Sequence, residues 1–200
     1  MRAVGGTERA AVAGVLQHRL VPVLAPHAEA LGISAPVATA LHAAHRQVVR
    51  QGLAVAADTV RVSRVLDAAG IEHLVCKGAA LDALLGHAPG TRGNGDVDVW
   101  LTSGDVERAA RVLLDAGWHR RRSLASYPTP DDGWPWRLLL WGGKELPYDR
   151  RDAVTVDLHW RLTNGRRHLS FDFGAAREAA VTVEIAHQPV PTLGPAHALE

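Results

Sequence analysis

Cysteine is almost absent from this chain, which has 200 residues and a single cysteine, Cys76. One cysteine cannot form an internal disulfide, so the class of small proteins that depend on a disulfide framework is excluded. Cys76 lies in an apolar segment, where a buried strand thiol is the simplest interpretation.

Neither sign of charge dominates the sequence. The 22 Lys and Arg residues and the 21 Asp and Glu residues leave a net charge of +1 with His neutral. This balance gives no general attraction for nucleic acid, so a polynucleotide partner requires a local basic patch.

Long apolar segments are also lacking. No apolar run approaches the roughly 20 residues that span a bilayer, and the N-terminus has no basic flank followed by an apolar core. A cytoplasmic location is therefore expected.

Lysine is rare, because only Lys77 and Lys144 among the 22 basic residues are not arginine. Lysine carries a compact point charge, whereas arginine needs room for its planar guanidinium group. Crowding against phosphate groups would favour lysine, which makes both residues candidates for nucleotide binding. Lys144 lies in the sequence Gly-Gly-Lys-Glu-Leu, for which a hairpin turn is the alternative interpretation.

The pattern of apolar residues changes near residue 70. Apolar side chains recur at helical spacing over 7–24 and 35–69, with a break near Gly32. Residues 1–69 are therefore predicted to form an N-terminal helical region. Residues 70–200 mix strand and helix patterns, which predicts an α+β fold around a mixed β-sheet.

Short strands and helices are predicted within this second region. A strand over Leu74–Cys76 leads into a helix that begins at Gly78, and Asp105–Ala116 forms a further helix. The remaining elements are a strand at 118–124, a loop at 127–135, hairpin strands at 137–148 and 153–162, a helix near 174–180, and strands around 181–186 and 189–192.

Two aspartates in the run Gly-Asp-Val-Asp-Val-Trp-Leu are the most informative feature of the sequence. Because strand side chains alternate sides, Asp96 and Asp98 share one face while Val97 and Val99 point into the core. Two neighbouring carboxylates repel each other unless a positive charge lies between them. Oxygen ligands favour Mg²⁺ or Mn²⁺, and a carboxylate-bridged pair of such ions is the usual apparatus for nucleotidyl transfer.

The glycine turn before this strand is a candidate phosphate site. A helix that begins at Gly78 offers unpaired N–H groups and the positive end of its dipole. Lys77 faces the carboxylates only if the turn begins at Lys77 itself. Arg92 lies four residues before Asp96, where phosphate contact and simple solvation are the two interpretations.

A third carboxylate lies in the strand Thr-Val-Asp-Leu-His-Trp-Arg. Alternation places Asp157 and His159 on one face of this strand, and Asp157 would complete a metal-binding triad with Asp96 and Asp98. For His159, a hydrogen bond to a neighbouring strand and contact with a substrate are both open.

Three segments together resemble a known family. Lys-Gly-Ala-Ala-Leu (77–81), Thr-Arg-Gly-Asn-Gly-Asp-Val-Asp-Val (91–99) and Val-Asp-Leu-His-Trp-Arg-Leu (156–162), in this order, resemble the uncharacterised bacterial nucleotidyltransferases of the DNA polymerase beta superfamily. The resemblance covers roughly residues 60–195. It implies a polymerase-beta-like mixed sheet as the core.

The resemblance also implies roles for individual residues. Gly78 would open the nucleotide-binding turn, Asp96 and Asp98 would bind metal, and Asp157 would be the third carboxylate. In the wider superfamily the glycine is commonly followed by Ser or Gly, but here Ala79 follows it. The side-chain contact to phosphate is therefore lost, and Lys77 is the candidate for supplying charge in its place.

The expected activity is transfer of a nucleoside monophosphate from a nucleoside triphosphate to an acceptor hydroxyl, with release of pyrophosphate and two Mg²⁺ or Mn²⁺ ions as cofactors. The acceptor is a small molecule, a peptide or a protein. The alternatives are a toxin-like enzyme that adds nucleotides to transfer RNA, and a non-catalytic nucleotide-binding module. The resemblance leads one to expect further helices after the C-terminal Pro-Ala-His-Ala-Leu-Glu, so a fragment that lacks them is a further possibility.

Overall fold

The computed structural model describes residues 13–15, 20–93, 95–121, 127–163 and 172–198. Within these residues the chain forms helices first and then a mixed seven-stranded sheet, which confirms the predicted α+β class. The helix predicted over 7–24 and the strand predicted over 118–124 lie partly outside the described residues.

Helices and strands are numbered here in chain order. The helices are α1 (Val21–Leu24), α2 (Ala35–Ala68), α3 (Gly78–Leu84), α4 (Val106–Asp115), α5 (Trp134–Gly142), α6 (Phe173–Glu178) and α7 (Pro195–Ala198). The strands are β1 (Leu74–Val75), β2 (Asp96–Trp100), β3 (His119–Arg120), β4 (Glu145–Asp149), β5 (Thr155–His159), β6 (Val181–Ile185) and β7 (Gln188–Thr192).

Helix α2 confirms the prediction over 35–69 and connects the N-terminal part to the sheet. It contains 34 residues, has Ser34 at its N-cap and accepts a proline in its first turn. Its second half contributes Val55, Val62 and Leu66 to the main hydrophobic core. The division of the chain near residue 69 into a helical region and a core stays a prediction.

Strand β2 lies at the centre of the sheet, whose order is β3-β4-β5-β2-β1-β7-β6. It pairs in parallel with β5 and antiparallel with β1. Because both of its edges are hydrogen-bonded, β2 is held firmly, and its side chains have fixed neighbours on both sides.

The two faces of the sheet differ in character. On one face Val97, Val99, Val156 and Leu158 pack into the main core with helices α2 and α4. The opposite face carries a smaller cluster of buried apolar residues that includes Leu74, Cys76 and Trp100. The ring of Trp100 meets that of Phe173 edge to face, with centroids 5.3 Å apart. The aspartates of β2 lie on this second face.

Two glycines fix the loop that leads into β2 against helix α2. A Cβ atom on Gly52 would lie 2.3 Å from the backbone nitrogen of Gly90, which is closer than atoms can approach. Gly90 itself has a φ of +86°, a conformation that favours glycine. Any larger residue at position 52 would push this loop away from the helix.

One predicted element is wrong: much of the segment 137–148 is helical. Helix α5 covers Trp134–Gly142, and only Glu145–Asp149 forms strand β4. Pro135 in the first turn has its φ already set for a helix, and the Leu residues that follow are good helix formers. A short apolar run does not by its periodicity distinguish helix from strand, which explains the error.

The other predicted elements of the second region that lie wholly within the described residues agree with the structure to within three residues at each end. Helix α3 begins at Gly78, as predicted, and α4, α6, β6 and β7 lie where the sequence placed them. None of the described helices is both long and apolar enough to cross a membrane.

Candidate active site

The parallel pairing of β2 with β5 brings together acidic residues that are far apart in sequence. Its register places Asp98 opposite Asp157 and Trp100 opposite His159. Since strand side chains alternate, Asp96, Asp98, Asp157 and His159 all project from the same face of the sheet. The two opposed carboxylates are 59 residues apart along the chain.

Asp98 is the buried carboxylate of this group, with 8% of its surface exposed. Its Oδ1 atom lies 2.8 Å from Nε2 of His159 and 3.5 Å from Nζ of Lys77. Burial alone would raise the pKa of Asp98, but the hydrogen bond from His159 and the charge of Lys77 outweigh it and hold the pKa below its usual value. Asp98 is therefore an anion at neutral pH.

Asp157 is in the opposite situation. Burial and the negative charge of Asp98 raise its pKa, and the charges of Asp96 and Glu145 add to the effect. Asp96 is exposed at the start of β2, so its influence on Asp157 reflects the proximity that the register creates. This crowding of negative charge would be relieved by a bound cation.

The donor atoms fit a divalent cation. One ligand atom from each of Asp98, Asp157 and His159 can be chosen so that all three lie within 4.8 Å of one another. We call these three residues the acidic site. The two carboxylates suit Mg²⁺ or Mn²⁺, whereas Nε2 of His159 already contacts Asp98. Asp96 lies outside this group of three.

The turn at Gly78 brings Lys77 to the acidic site. Gly78 has a φ of +55°, so the chain reverses direction sharply between β1 and α3. Lys77 is the N-cap residue of α3, and the turn thus begins at Lys77, as its predicted orientation required. A side chain on Gly78 would lie 3.4 Å from the carbonyl oxygen of Asp96, so this turn also lies beside the start of β2.

Glu145 is a charged neighbour of the acidic site that the sequence did not indicate. Antiparallel pairing of β4 with β5 places it opposite His159. Its Oε2 atom lies 3.2 Å from Nδ1 of His159 and 2.7 Å from Nζ of Lys144. The signal in the sequence was the polar pair Lys144-Glu145 at the start of a strand, but its partner strand could not be known.

A cavity of about 210 Å³ lies next to the acidic site, and both lysines of the chain line it. Its wall is polar at Lys77, Lys144 and His159 and apolar at four leucines. The lining residues are Cys76, Lys77, Leu81, Leu84, Lys144, His159, Leu162, Thr163, Thr192, Leu193, His197 and Ala198. Burial and the nearby charge of Asp98 raise the pKa of Cys76 to about 12, so its thiol is neutral and a poor nucleophile.

Arg92 has a structural partner. Its Nε atom lies 2.9 Å from Oδ1 of Asp82, whose side chain is buried in helix α3. This ion pair ties the loop before β2 to α3 and compensates a buried charge. A contact between Arg92 and a nucleotide stays a prediction.

Replacement of Asp157 by asparagine should stabilise the metal-free protein at neutral pH. Like charges directly opposite each other on neighbouring strands cost about 0.2–1 kcal/mol. For a domain of this size, relief of that repulsion raises Tm by about 0.4–4 °C. Because the folded-state pKa of Asp157 is raised, the cost is absent below the ordinary aspartate pKa, near about 3.9. It appears as pH rises through the raised value.

Thermal unfolding in the presence of EDTA at pH 7 and pH 3 tests this expectation. The matched control is Asp152→Asn, because Asp152 is exposed and its φ of 56° is one that asparagine adopts readily. A Tm for Asp157→Asn at or below that of the wild type at pH 7 would contradict the assigned repulsion.

The chain is similar to a protein family and to a solved structure. No curated protein matches the chain. A similar solved structure is the crystal structure of the lincosamide antibiotic adenylyltransferase LnuA in its lincomycin-bound form. It is 12% identical, with a TM-score of 0.47 over 68% of this chain and 78% of that one. Residues 9–199 match the family described as "Uncharacterised nucleotidyltransferase". With nearly its whole length matched, the chain belongs to that nucleotidyltransferase family.

Proposed function

We propose that this protein is a metal-dependent enzyme that transfers a nucleoside monophosphate from a nucleoside triphosphate to an acceptor hydroxyl. The observation that carries the proposal is the pairing of Asp98 with Asp157 on neighbouring strands, beside Lys77. Family membership supports the general reaction, and the charged residues of the site support its mechanism.

In this proposal Asp98, Asp157 and Asp96 hold the divalent ions. When bound, these ions would neutralise triphosphate charge and lower the pKa of the acceptor hydroxyl. The donor set of the acidic site fits such ions, and the raised pKa of Asp157 records the charge crowding that they would relieve.

In the proposed reaction, residues of the protein accept the proton of the acceptor hydroxyl and stabilise the charge of the phosphates. The acceptor oxygen forms a bond to the α-phosphorus, the bond between that phosphorus and the β-phosphate oxygen breaks, and pyrophosphate leaves. Asp157 receives the hydroxyl proton, since its carboxylate lies directly opposite Asp98 in the acidic site. Lys77 and the backbone amides near Gly78 stabilise the negative charge of the leaving group.

The cavity offers a place for the nucleotide. Lys144 lines it together with Lys77, so both ammonium groups would contact phosphate, and the leucine side chains would contact less polar parts of the ligand. Nucleotide contacts by His159 and Arg92 stay predictions. We propose a small molecule, peptide or protein side chain as the acceptor, rather than a polynucleotide, because the net charge is only +1.

Incubation with labelled nucleoside triphosphates tests the proposed reaction. The purified protein is incubated with Mg²⁺, a cell extract as the source of acceptor and each triphosphate in turn, labelled on either the α- or the γ-phosphate. We expect an acceptor that gains α-label and a nucleoside monophosphate by mass, together with pyrophosphate. Transfer of γ-label would identify a phosphotransferase instead, and no transfer of either label would overturn the proposal.

Replacement of Lys77 by alanine should weaken nucleotide binding. Hydrogen bonds to charged groups contribute about 1.5–3 kcal/mol, so the dissociation constant of the triphosphate should rise roughly 10- to 150-fold. Lys77→Arg should restore affinity only in part, because the guanidinium is bulkier than the ammonium group. Fluorescence titration with a labelled triphosphate measures both variants.

The control for this prediction is Arg151→Ala, which removes one positive charge from a fully exposed turn. It should leave nucleotide affinity unchanged. If Lys77→Ala and Arg151→Ala bind the triphosphate equally well, Lys77 is only a surface charge that neutralises Asp98.

A further inference from the structure

Five charged or ionisable side chains form a continuous line across the site. In order they are Lys144, Glu145, His159, Asp98 and Lys77. The contacts between neighbours measure 2.7, 3.2, 2.8 and 3.5 Å. The line begins and ends with the two lysines of the chain, and it passes through a carboxylate of the acidic site.

His159 connects the two halves of this line. It lies on β5, between β2 and β4, and is 4% exposed. Its Nε2 atom contacts Asp98 on β2, and its Nδ1 atom faces Glu145 on β4. The imidazole ring is therefore held between two carboxylates from opposite neighbouring strands.

The contact between Nδ1 of His159 and Oε2 of Glu145 is within ion-pair distance but does not have the geometry of a hydrogen bond. Nδ1 is buried and has no hydrogen-bond partner among the described residues. A buried polar nitrogen without a partner is costly, so a charged group placed 3.2 Å away has a strong influence on the orientation of the ring.

By itself, the negative charge of Glu145 would add to the repulsion among the carboxylates of the acidic site. It is one of the charges that raise the pKa of Asp157. Lys144 compensates it from 2.7 Å, so the Lys144–Glu145 pair adds little net charge while keeping an oxygen against the ring of His159. A nearly neutral pair of this kind is better suited to orienting a metal-binding residue than to binding a cation directly.

We propose that Glu145 is a positioning residue that acts through His159 on Asp98, an inference that rests on the proposed function. Glu145 fixes the ring so that Nε2 holds Oδ1 of Asp98 in place. Lys77 contacts the same oxygen, so Asp98 would be held in a fixed orientation for a cation. Outer partners of this kind orient a metal ligand without touching the metal.

Mn²⁺ binding in the absence of nucleotide tests the role of Glu145. Loss of an outer partner typically weakens metal binding by about 10- to 100-fold, and we expect Glu145→Gln to do so. The matched control is Glu184→Gln, because Glu184 faces Nδ1 of His187 at 3.1 Å in an exposed hairpin remote from β2 and β5. Electron paramagnetic resonance of free Mn²⁺ gives the dissociation constants, and circular dichroism verifies the fold.

A double-mutant cycle separates action through His159 from a simple charge effect. His159→Gln keeps a side-chain nitrogen near the position of Nε2 but has no counterpart of Nδ1. In that background Glu145→Gln should change Mn²⁺ affinity by less than about threefold, because coupled residues are non-additive. Equal effects in both backgrounds would show that Glu145 acts by its charge alone and would overturn the proposal.

Glu145→Asp covers the case in which His159→Gln does not fold. It keeps the charge but shortens the reach, so weaker Mn²⁺ binding supports positioning and unchanged binding overturns it. If the wild type binds Mn²⁺ and Asp98→Asn does not, unchanged affinity in Glu145→Gln removes the role of Glu145 only. If the wild type binds no Mn²⁺, the proposed function fails with it.

Discussion

Replacement of Asp157 by asparagine is expected to lower kcat for nucleotidyl transfer by about 10²- to 10⁴-fold, the contribution usual for a general base. Asparagine keeps the shape of the side chain and one oxygen but cannot accept the hydroxyl proton. Lys77 and Asp98 are unaltered, so the dissociation constant of the triphosphate should change little. Its position opposite Asp98 on the neighbouring strand suits it to this role.

Single-turnover kinetics with α-labelled triphosphate measures this loss, because it separates bond formation from product release. The control is Asp152→Asn, which should transfer label at the wild-type rate. If Asp157→Asn is more stable than the wild type but far slower, the repulsion between Asp98 and Asp157 lowers stability in a way that activity requires. Loss of nucleotide affinity without loss of kcat would instead assign Asp157 to substrate binding.

Asp98→Asn is expected to weaken Mn²⁺ or Mg²⁺ binding by more than about 100-fold, since even outer partners of a metal ligand contribute 10- to 100-fold. Asp98 is the carboxylate whose pKa is held low by His159 and Lys77 despite its burial, so it supplies a full negative charge. Asparagine removes that charge and leaves only Asp157 and the exposed Asp96 to attract a cation against the charge of Lys77. The acidic site would then hold the cation far more weakly.

Calorimetric titration of metal into the wild type and the variant tests this expectation, with exposed Asp115→Asn as the control. Asp96→Asn should have a smaller effect, because Asp96 is exposed and lies outside the group of three donors. Unchanged metal affinity in both Asp98→Asn and Asp96→Asn would remove the metal site from this face of the sheet.

Local patterns in the sequence were sufficient for the parts of the site that depend on neighbouring residues. Alternation placed Asp96 and Asp98 on one face with Val97 and Val99 on the other, and the structure has this arrangement. Gly78 correctly predicted the start of a helix. In the structure its positive φ reverses the chain, so that Lys77 faces Asp98. These features are decided within a few residues.

The pairing between strands could not be predicted in the same way. Asp98 meets Asp157, and Glu145 meets His159, because of strand order and register, which are set by packing over the whole sheet. The helix α5 was mistaken for a strand, so the start of β4 and the position of Glu145 were hidden in a longer predicted element. The role of Glu145 emerges only when three strands lie side by side.

The parallel register of β2 and β5 also has a consequence for folding. A parallel pair cannot close through a short turn, and here the segment that contains α4, β3, α5 and β4 separates β2 from β5 along the chain. Contacts between such distant segments form slowly, because loop closure is costly before it is compensated. Metal affinity should consequently arise late during refolding, when β5 docks. Mn²⁺ uptake would thus be a direct kinetic probe of the docking of that strand.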